Sequence, residues 1–229
     1  MTRGFYITGT DTGIGKTVVS CALLHLLRAR GMRAVGMKPV ASGCVQTADG
    51  WRNDDALALQ LASDPRPDYP DLNPYALPLP LAPELAARDA GVEINLATIL
   101  AAHARLRGQA DAGVVEGVGG WAAPLSASLQ QADVVRALDL PVVLVVGLRL
   151  GCLNHAILSV RAIAADGCRL VGWIGNAIDP QMACREEHRA MLQARIVAPC
   201  LGWLAHDPAA DALTLSHRLT LPDSGRARF

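Results

Sequence analysis

The chain has 229 residues, 51% of them hydrophobic, enough to fill the core of one sizeable α/β domain spanning 1–229 without a disordered half. Lysine plus arginine balance aspartate plus glutamate at 21 each, which excludes bulk attraction to nucleic acid or anionic lipid, so any phosphate must be held by a local site. No apolar run approaches the ~18 residues needed to span a bilayer and no signal-like stretch opens the chain, so a cytoplasmic protein with no membrane or nucleic-acid partner is expected.

In chain order, "FYIT" (5–8) reads as a first strand and 16–30 as a helix. That helix is apolar on nearly every face through Val18, Cys21, Ala22, Leu24 and Leu27, and is expected to be largely buried. "RAVGMKPV" (33–40) reads as a second strand, which Pro39 confines to a terminus or an edge. A helix near 55–62 follows, then a proline-rich stretch, "PRPDYPDLNPYALPLPLAP" (65–83), expected to be irregular, and a helix over 94–107. The strand "AGVVEG" (112–117) runs into a glycine-rich loop. "LPVVLVVG" (140–147) lacks polar alternation, as a central parallel strand covered on both faces would. A helix over 154–165, the strand "RLVGWIGN" (169–176), a helix near 183–194 and the strand "CLGWL" (200–204) complete the pattern, and the stretch beyond 208 gives no firm signal. Strands alternating with helices predict a doubly wound, mostly parallel sheet of the P-loop NTPase kind. The six cysteines form no C-x-x-C pair and the histidines have no metal-ligand spacing, so reduced, mostly buried thiols and no zinc site are expected.

The motif that carries chemistry is "GTDTGIGKT" (9–17), between the first strand and the first helix. Its end, Gly15-Lys16-Thr17, matches a phosphate-binding loop, although the leading glycine falls one residue earlier than G-x-x-x-x-G-K-[ST] requires. Backbone amides and the helix N-terminus favour phosphate, Lys16 reaches the terminal phosphates, and the Thr17 hydroxyl can join a Mg²⁺ shell. Such a site needs a carboxylate at the end of a second core strand, and Glu116 in "VVEG" stands there. Asp54 and Asp55 sit at a helix start, where complementing the helix dipole explains them at least as well as a metal does. Lys38 could offset charge on a transferring phosphoryl group, but taken alone it reads better as a surface lysine.

Together, "GTDTGIGKT", "KPVASG", "RNDDALALQ", "VEGVGGW", "PVVLVVG" and "GCLNHA" resemble the dethiobiotin synthetase family from residue 6 to about 202. The resemblance implies a homodimer of P-loop subunits that use ATP and Mg²⁺ to carboxylate 7,8-diaminononanoate with CO₂, phosphorylate the carbamate and close a ureido ring. It implies Lys38 and Lys16 as catalytic, Thr17, Asp55 and Glu116 as Mg²⁺ ligands, and Thr12 and Ser42 as substrate contacts. Gly13, Ile14, Gly15, Lys16, Thr17, Val18, Asp55, Glu116, Gly117, Val118, Gly119 and Asn176 match nucleotide-contacting positions, Asn176 being the adenine-reading asparagine. The segment Gly151-Cys152-Leu153-Asn154 matches a loop that meets the substrate carboxylate from the neighbouring subunit.

Two departures stand out: Gly13 replaces an acid common among relatives, and "WLAHDP" (203–208) lacks the family's usual nucleotide-edge residues. Asn176 and Asp179 have the Asn-Lys-x-Asp spacing of guanine readers but Ala177 replaces the lysine, so acceptance of GTP alongside ATP is expected. The alternative reading is a P-loop switch ATPase of the partition or septum-positioning type. Its signature lysine would fall where this chain has Asp11.

Overall fold

The computed structural model describes residues 3–207 and 209–222. Strand β1 (Arg3–Gly9) leads into helix α1 (Lys16–Ala29), and β2 (Ala34–Met37) follows. Three short strands come next, β3 (Val40–Ser42), β4 (Val45–Thr47) and β5 (Gly50–Arg52), then α2 (Asp54–Ala62), α3 (Tyr69–Leu72), β6 (Tyr75–Leu77), α4 (Pro83–Asp89) and α5 (Leu96–Arg107). Strand β7 (Ala112–Glu116), α6 (Gln131–Leu138), β8 (Val142–Leu148), α7 (Cys152–Ala165), β9 (Leu170–Ala177), α8 (Arg185–Gln193), β10 (Cys200–Leu204) and α9 (Ala212–Ser216) complete the described chain.

Six strands form one parallel sheet in the order β10-β9-β8-β1-β7-β2. Side chains alternate across it, as pleating requires. Phe5 and Ile7 face a core with Leu23 and Leu27 of α1, Leu59 of α2 and Leu215 of α9. Tyr6 faces the opposite core, with Ile99 and Leu106 of α5 and Val134, Val135 and Leu138 of α6. Helices therefore cover both faces, the doubly wound arrangement expected of strands alternating with helices.

Three expectations need correction. The strand over 33–40 ends at Met37, and Val40 starts β3, which pairs with β6 in a separate two-stranded sheet. Pro39 between them has no N–H to continue the first ladder, and β2 lies at the sheet edge where that loss is tolerated. The stretch 65–83 contains α3 and β6, and Pro83 opens α4. Two of its prolines, Pro70 and Pro83, sit next to or at the first helical position, where the missing N–H has no intrahelical partner anyway. Helix α7 starts at Cys152, so Cys152, Leu153 and Asn154 form its first turn behind Gly151.

The β4–β5 hairpin, α6 and α9 have no counterpart among the expected elements. Cys21, Cys44 and Cys152 are buried, Cys168 and Cys200 half-buried and Cys184 exposed, so only half of the thiols are fully inside.

Candidate active site

The sheet register assembles the site. Met37 lies level with Val115 on the neighbouring strand, so the next residue of each strand, Lys38 and Glu116, also come level at the carboxyl edge. Glu116 pairs in turn with Ile7 of β1, the strand that feeds the phosphate loop. Three adjacent strands thus deliver Lys38, Glu116 and the loop to one rim, where open α/β sheets bind ligands. A cleft of about 800 Å³ opens there, lined by Thr12, Gly13, Gly15, Lys16, Thr17 and Val18 on one side and by Lys38, Ser42, Asp55, Glu116, Val118 and Gly119 on the other.

The loop ends in a left-handed turn at Gly15 (φ 84°), the N-cap of α1. A side chain there would be strained and its Cβ would overlap the Asn176 carboxamide, so the position is glycine for two reasons. Gly13 is also left-handed (φ 70°), but a Cβ on it would meet nothing within 4 Å. Ile14 points inward, and its carbonyl accepts a 2.8 Å hydrogen bond from Asn176 Nδ2, which ties β9 to the loop. Lys16 is 7% exposed and donates to the Asp11 carbonyl at 2.9 Å. Burial first, and then the Lys38 charge, bring its pKa down to about 8. The Asp11 carboxylate in turn accepts from Arg149, at the end of β8.

Lys38 is 4% exposed, which overturns its reading as a surface lysine. Its ammonium donates to Glu116 Oε1 at 2.5 Å, to Asp55 Oδ2 at 3.1 Å and to the Gly117 carbonyl at 3.4 Å. Burial alone would lower the Lys38 pKa, but Glu116 and then Asp55 outweigh it, so the pKa is raised and the side chain is a firm cation. Burial would raise the Asp55 pKa, and Lys38, with a smaller contribution from the Lys16 charge, outweighs it, holding that carboxyl below its usual range.

The N-terminus of α2 needs no help from Asp55, because Asn53 caps it by accepting from the Ala56 amide. The same Asn53 donates to the Ser42 carbonyl at 3.4 Å, which fixes the cleft wall next to Asp55.

The Thr17 hydroxyl donates to Glu116 Oε1 at 2.9 Å. The other oxygen, Glu116 Oε2, is fully buried with no hydrogen-bond partner among the described residues, an arrangement that otherwise costs free energy. The Glu116 and Asp55 carboxylates, which share the Lys38 ammonium, and the Thr17 hydroxyl form the hard donor set that suits Mg²⁺.

Of the expected site residues, Gly117 enters through its carbonyl, while Gly151, Cys152, Leu153 and Asn154 are absent from the cleft lining among the described residues. Asp11, Arg149 and Asn53 join the site without having been anticipated. For Asp11 the signal was present in its place inside the loop; Arg149 lies 138 residues away from it and offered none.

A parallel sheet whose first strand runs into a Gly-Lys-Thr loop, with a buried lysine–carboxylate pair facing it, defines a P-loop nucleotide-using enzyme. A ParA family ATPase from Chlorobium tepidum TLS has the same fold (TM-score 0.57, 13% identity, 95% of this chain and 93% of that one). So does the MinD cell division protein of Aquifex aeolicus (TM-score 0.55, 15% identity, 95% and 88%). At such identities the likeness concerns fold alone.

A family profile described as an AAA domain matches residues 3–213. The ATP-dependent dethiobiotin synthetase BioD of Xanthomonas euvesicatoria pv. vesicatoria (strain 85-10) is 67% identical over 95% of this chain and 97% of its own. That of Xylella fastidiosa (strain 9a5c) is 63% identical over 94% and 96%. The chain belongs to the ATP-dependent dethiobiotin synthetase family.

Proposed function

We propose that the cleft converts 7,8-diaminononanoate, CO₂ and ATP to dethiobiotin, ADP and phosphate. The observation that carries this reading is the Lys38 ammonium, buried against Glu116 and Asp55 in the same cleft as Lys16. Transfer of a phosphoryl group to an anionic acceptor brings two anions together, and a second cation beside the loop lysine offsets their repulsion.

One amine attacks CO₂ and, on losing a proton, becomes a carbamate. A carbamate oxygen attacks the γ-phosphorus and ADP leaves. The second amine then attacks the carbonyl carbon of the carbamic–phosphoric anhydride, the ring closes as the carbon–oxygen bond to phosphate breaks, and the amine proton is released. The loop amides and Lys16 hold the phosphates, Lys38 balances the charge of the carbamate, and Thr12 and Ser42, both on the cleft wall, orient the diamine. Thr17, Asp55 and Glu116 would hold Mg²⁺, which when bound neutralises phosphate charge and polarises the γ-phosphoryl group. With Ile14 carbonyl engaging its amide nitrogen, Asn176 keeps its amide oxygen for the adenine amine.

The substrate carboxylate lies at the far end of an aliphatic chain. We assign it to Gly151, Cys152, Leu153 and Asn154 of a second subunit in a homodimer. Leu150 is 87% exposed beside that segment, and α7 buries only Cys152, Ala156 and Ile163, so an apolar surface adjoins it. Freely diffusing substrates fit a cytoplasmic enzyme, and no described helix is long and apolar enough to cross a membrane.

The test is phosphate release with MgATP, bicarbonate and 7,8-diaminononanoate. Release should depend on the diamine; release no greater than in a control without diamine would remove this reading.

A further inference from the structure

We propose that Gln131 is a positioning residue that holds the 117–121 loop in its working shape, and through it the Gly117 carbonyl against the Lys38 ammonium. The inference rests on the reading of the cleft as the site of synthesis. Gln131 is fully buried at the first position of α6. Its carboxamide spends its whole hydrogen-bonding capacity on this one region. Oε1 accepts from the Tyr6 hydroxyl at 2.9 Å and from the Val118 amide at 3.0 Å. Nε2 donates to the carbonyls of Gly120 at 2.6 Å and Trp121 at 3.2 Å. Two acceptor sites and two donors are all that a glutamine side chain has.

Three of these four bonds end on the loop's backbone, and the loop's Val118, Gly119 and Gly120 line the cleft. Gly117, which touches Lys38, has no room for a side chain because a Cβ there would overlap Gln131 Oε1 and crowd the Tyr6 hydroxyl at 2.8 Å. Burial, and after it the Glu116 charge, hold the Tyr6 phenol well above its ordinary pKa, so it remains a donor to Gln131. Gln131 is itself fixed from outside: the Asp133 carboxylate accepts from the Gln130 amide at 2.8 Å at the start of α6. The far end of the loop is pinned separately, by Trp121 Nε1 donating to Asp166 at 2.7 Å.

A glutamine serving only to fill the core would affect the whole chain when replaced; one that positions the loop affects the loop and the turnover. The test uses Gln131→Met, which keeps the length and removes all four bonds, and Gln131→Glu, whose buried carboxyl takes a proton, keeps both acceptor contacts and retains one of the two donors. In Gln131→Met, hydrogen exchange at the Val118 amide should accelerate at least about tenfold while amides of α1 keep their wild-type rates. Turnover should fall too, with kcat down at least about tenfold, and Gln131→Glu should lie between Gln131→Met and the wild type in both exchange and kcat. If Gln131→Met does not fold, intermediate exchange and turnover in Gln131→Glu carry the same support. Unchanged Val118 exchange, equal acceleration throughout α1, or faster loop exchange with kcat within twofold of wild type would each overturn the proposal. Absence of diamine turnover in the wild type would instead overturn the reading of the cleft, and the exchange pattern would still report on Gln131.

Discussion

Replacing Lys38 with methionine removes one charge from a pair that is 4% and 0% exposed and separated by 2.5 Å. Glu116 would be left as an unpaired carboxylate inside the sheet edge. Breaking such a buried pair from one side costs about 3–5 kcal/mol. For a chain of this size each kcal/mol moves the melting temperature by about 2–4 °C, so Lys38→Met should melt about 6–20 °C below wild type. The second partner contributes little to that figure, because Asp55 is half-exposed: Asp55→Asn should cost no more than about 1 kcal/mol. The double variant Lys38→Met, Glu116→Gln should recover most of the loss, since no charge is then stranded.

The pH dependence has a definite sign. The Lys38 pKa is raised above 10.5, so the stabilisation is whole below that value and is lost only as pH climbs through the raised one. The stabilisation that the Lys38 ammonium gives the wild type should therefore stay level between about pH 6 and 9. Calorimetric melts of the three variants supply the readout, and turnover of the single variant should fall at least about tenfold, or about 1.4 kcal/mol. A single variant melting within about 2 °C of wild type would refute the argument that this pair is buried and mutually dependent.

Lys16, with a pKa near 8 in the free protein, should bind a proton when phosphate arrives, so nucleotide binding at pH 8 should take up about half a proton. Titration calorimetry in buffers of different ionisation enthalpy measures this, and zero uptake would count against the depressed value. Gly15→Ala should lose at least about tenfold in MgATP affinity, because the residue must be left-handed and its Cβ meets Asn176; binding at wild-type strength would contradict that geometry. GTP should support turnover alongside ATP, given Ala177 between Asn176 and Asp179. A preference for ATP beyond about a hundredfold in kcat/KM would sink that expectation. Leu150→Asp should yield monomers in light scattering and depress diamine turnover with ATP binding preserved; an unchanged dimer would remove the proposed interface.

The parts of the fold that were legible in the sequence are those with a local cause. Continuous apolar runs marked the central strands, and the strand–loop–helix order around Gly15-Lys16-Thr17 marked the phosphate site. Proline was over-read as a breaker at Pro83, which opens a helix as its fixed φ favours, whereas Pro39 stands just past a strand end at the sheet edge, as expected. Lys38 was misjudged from its own neighbourhood, because a buried lysine and an exposed one look alike until the register sets Glu116 beside it. Gln131 was invisible for the same reason in stronger form. Its partners at Tyr6 and Val118 lie 125 and 13 residues away, and neither distance matches a helical or strand period. Asp55 shows the reverse case, a residue with an adequate local explanation at a helix start that the tertiary structure turns toward Lys38 instead.

The central claim is that the cleft couples ATP cleavage to incorporation of CO₂ into a ring. Supplying ¹³C-bicarbonate with MgATP and 7,8-diaminononanoate, and quantifying phosphate and product mass together, tests it most directly. Dethiobiotin carrying one ¹³C for each phosphate released is the expected result. Phosphate released without labelled product, or at a rate independent of the diamine, would contradict it.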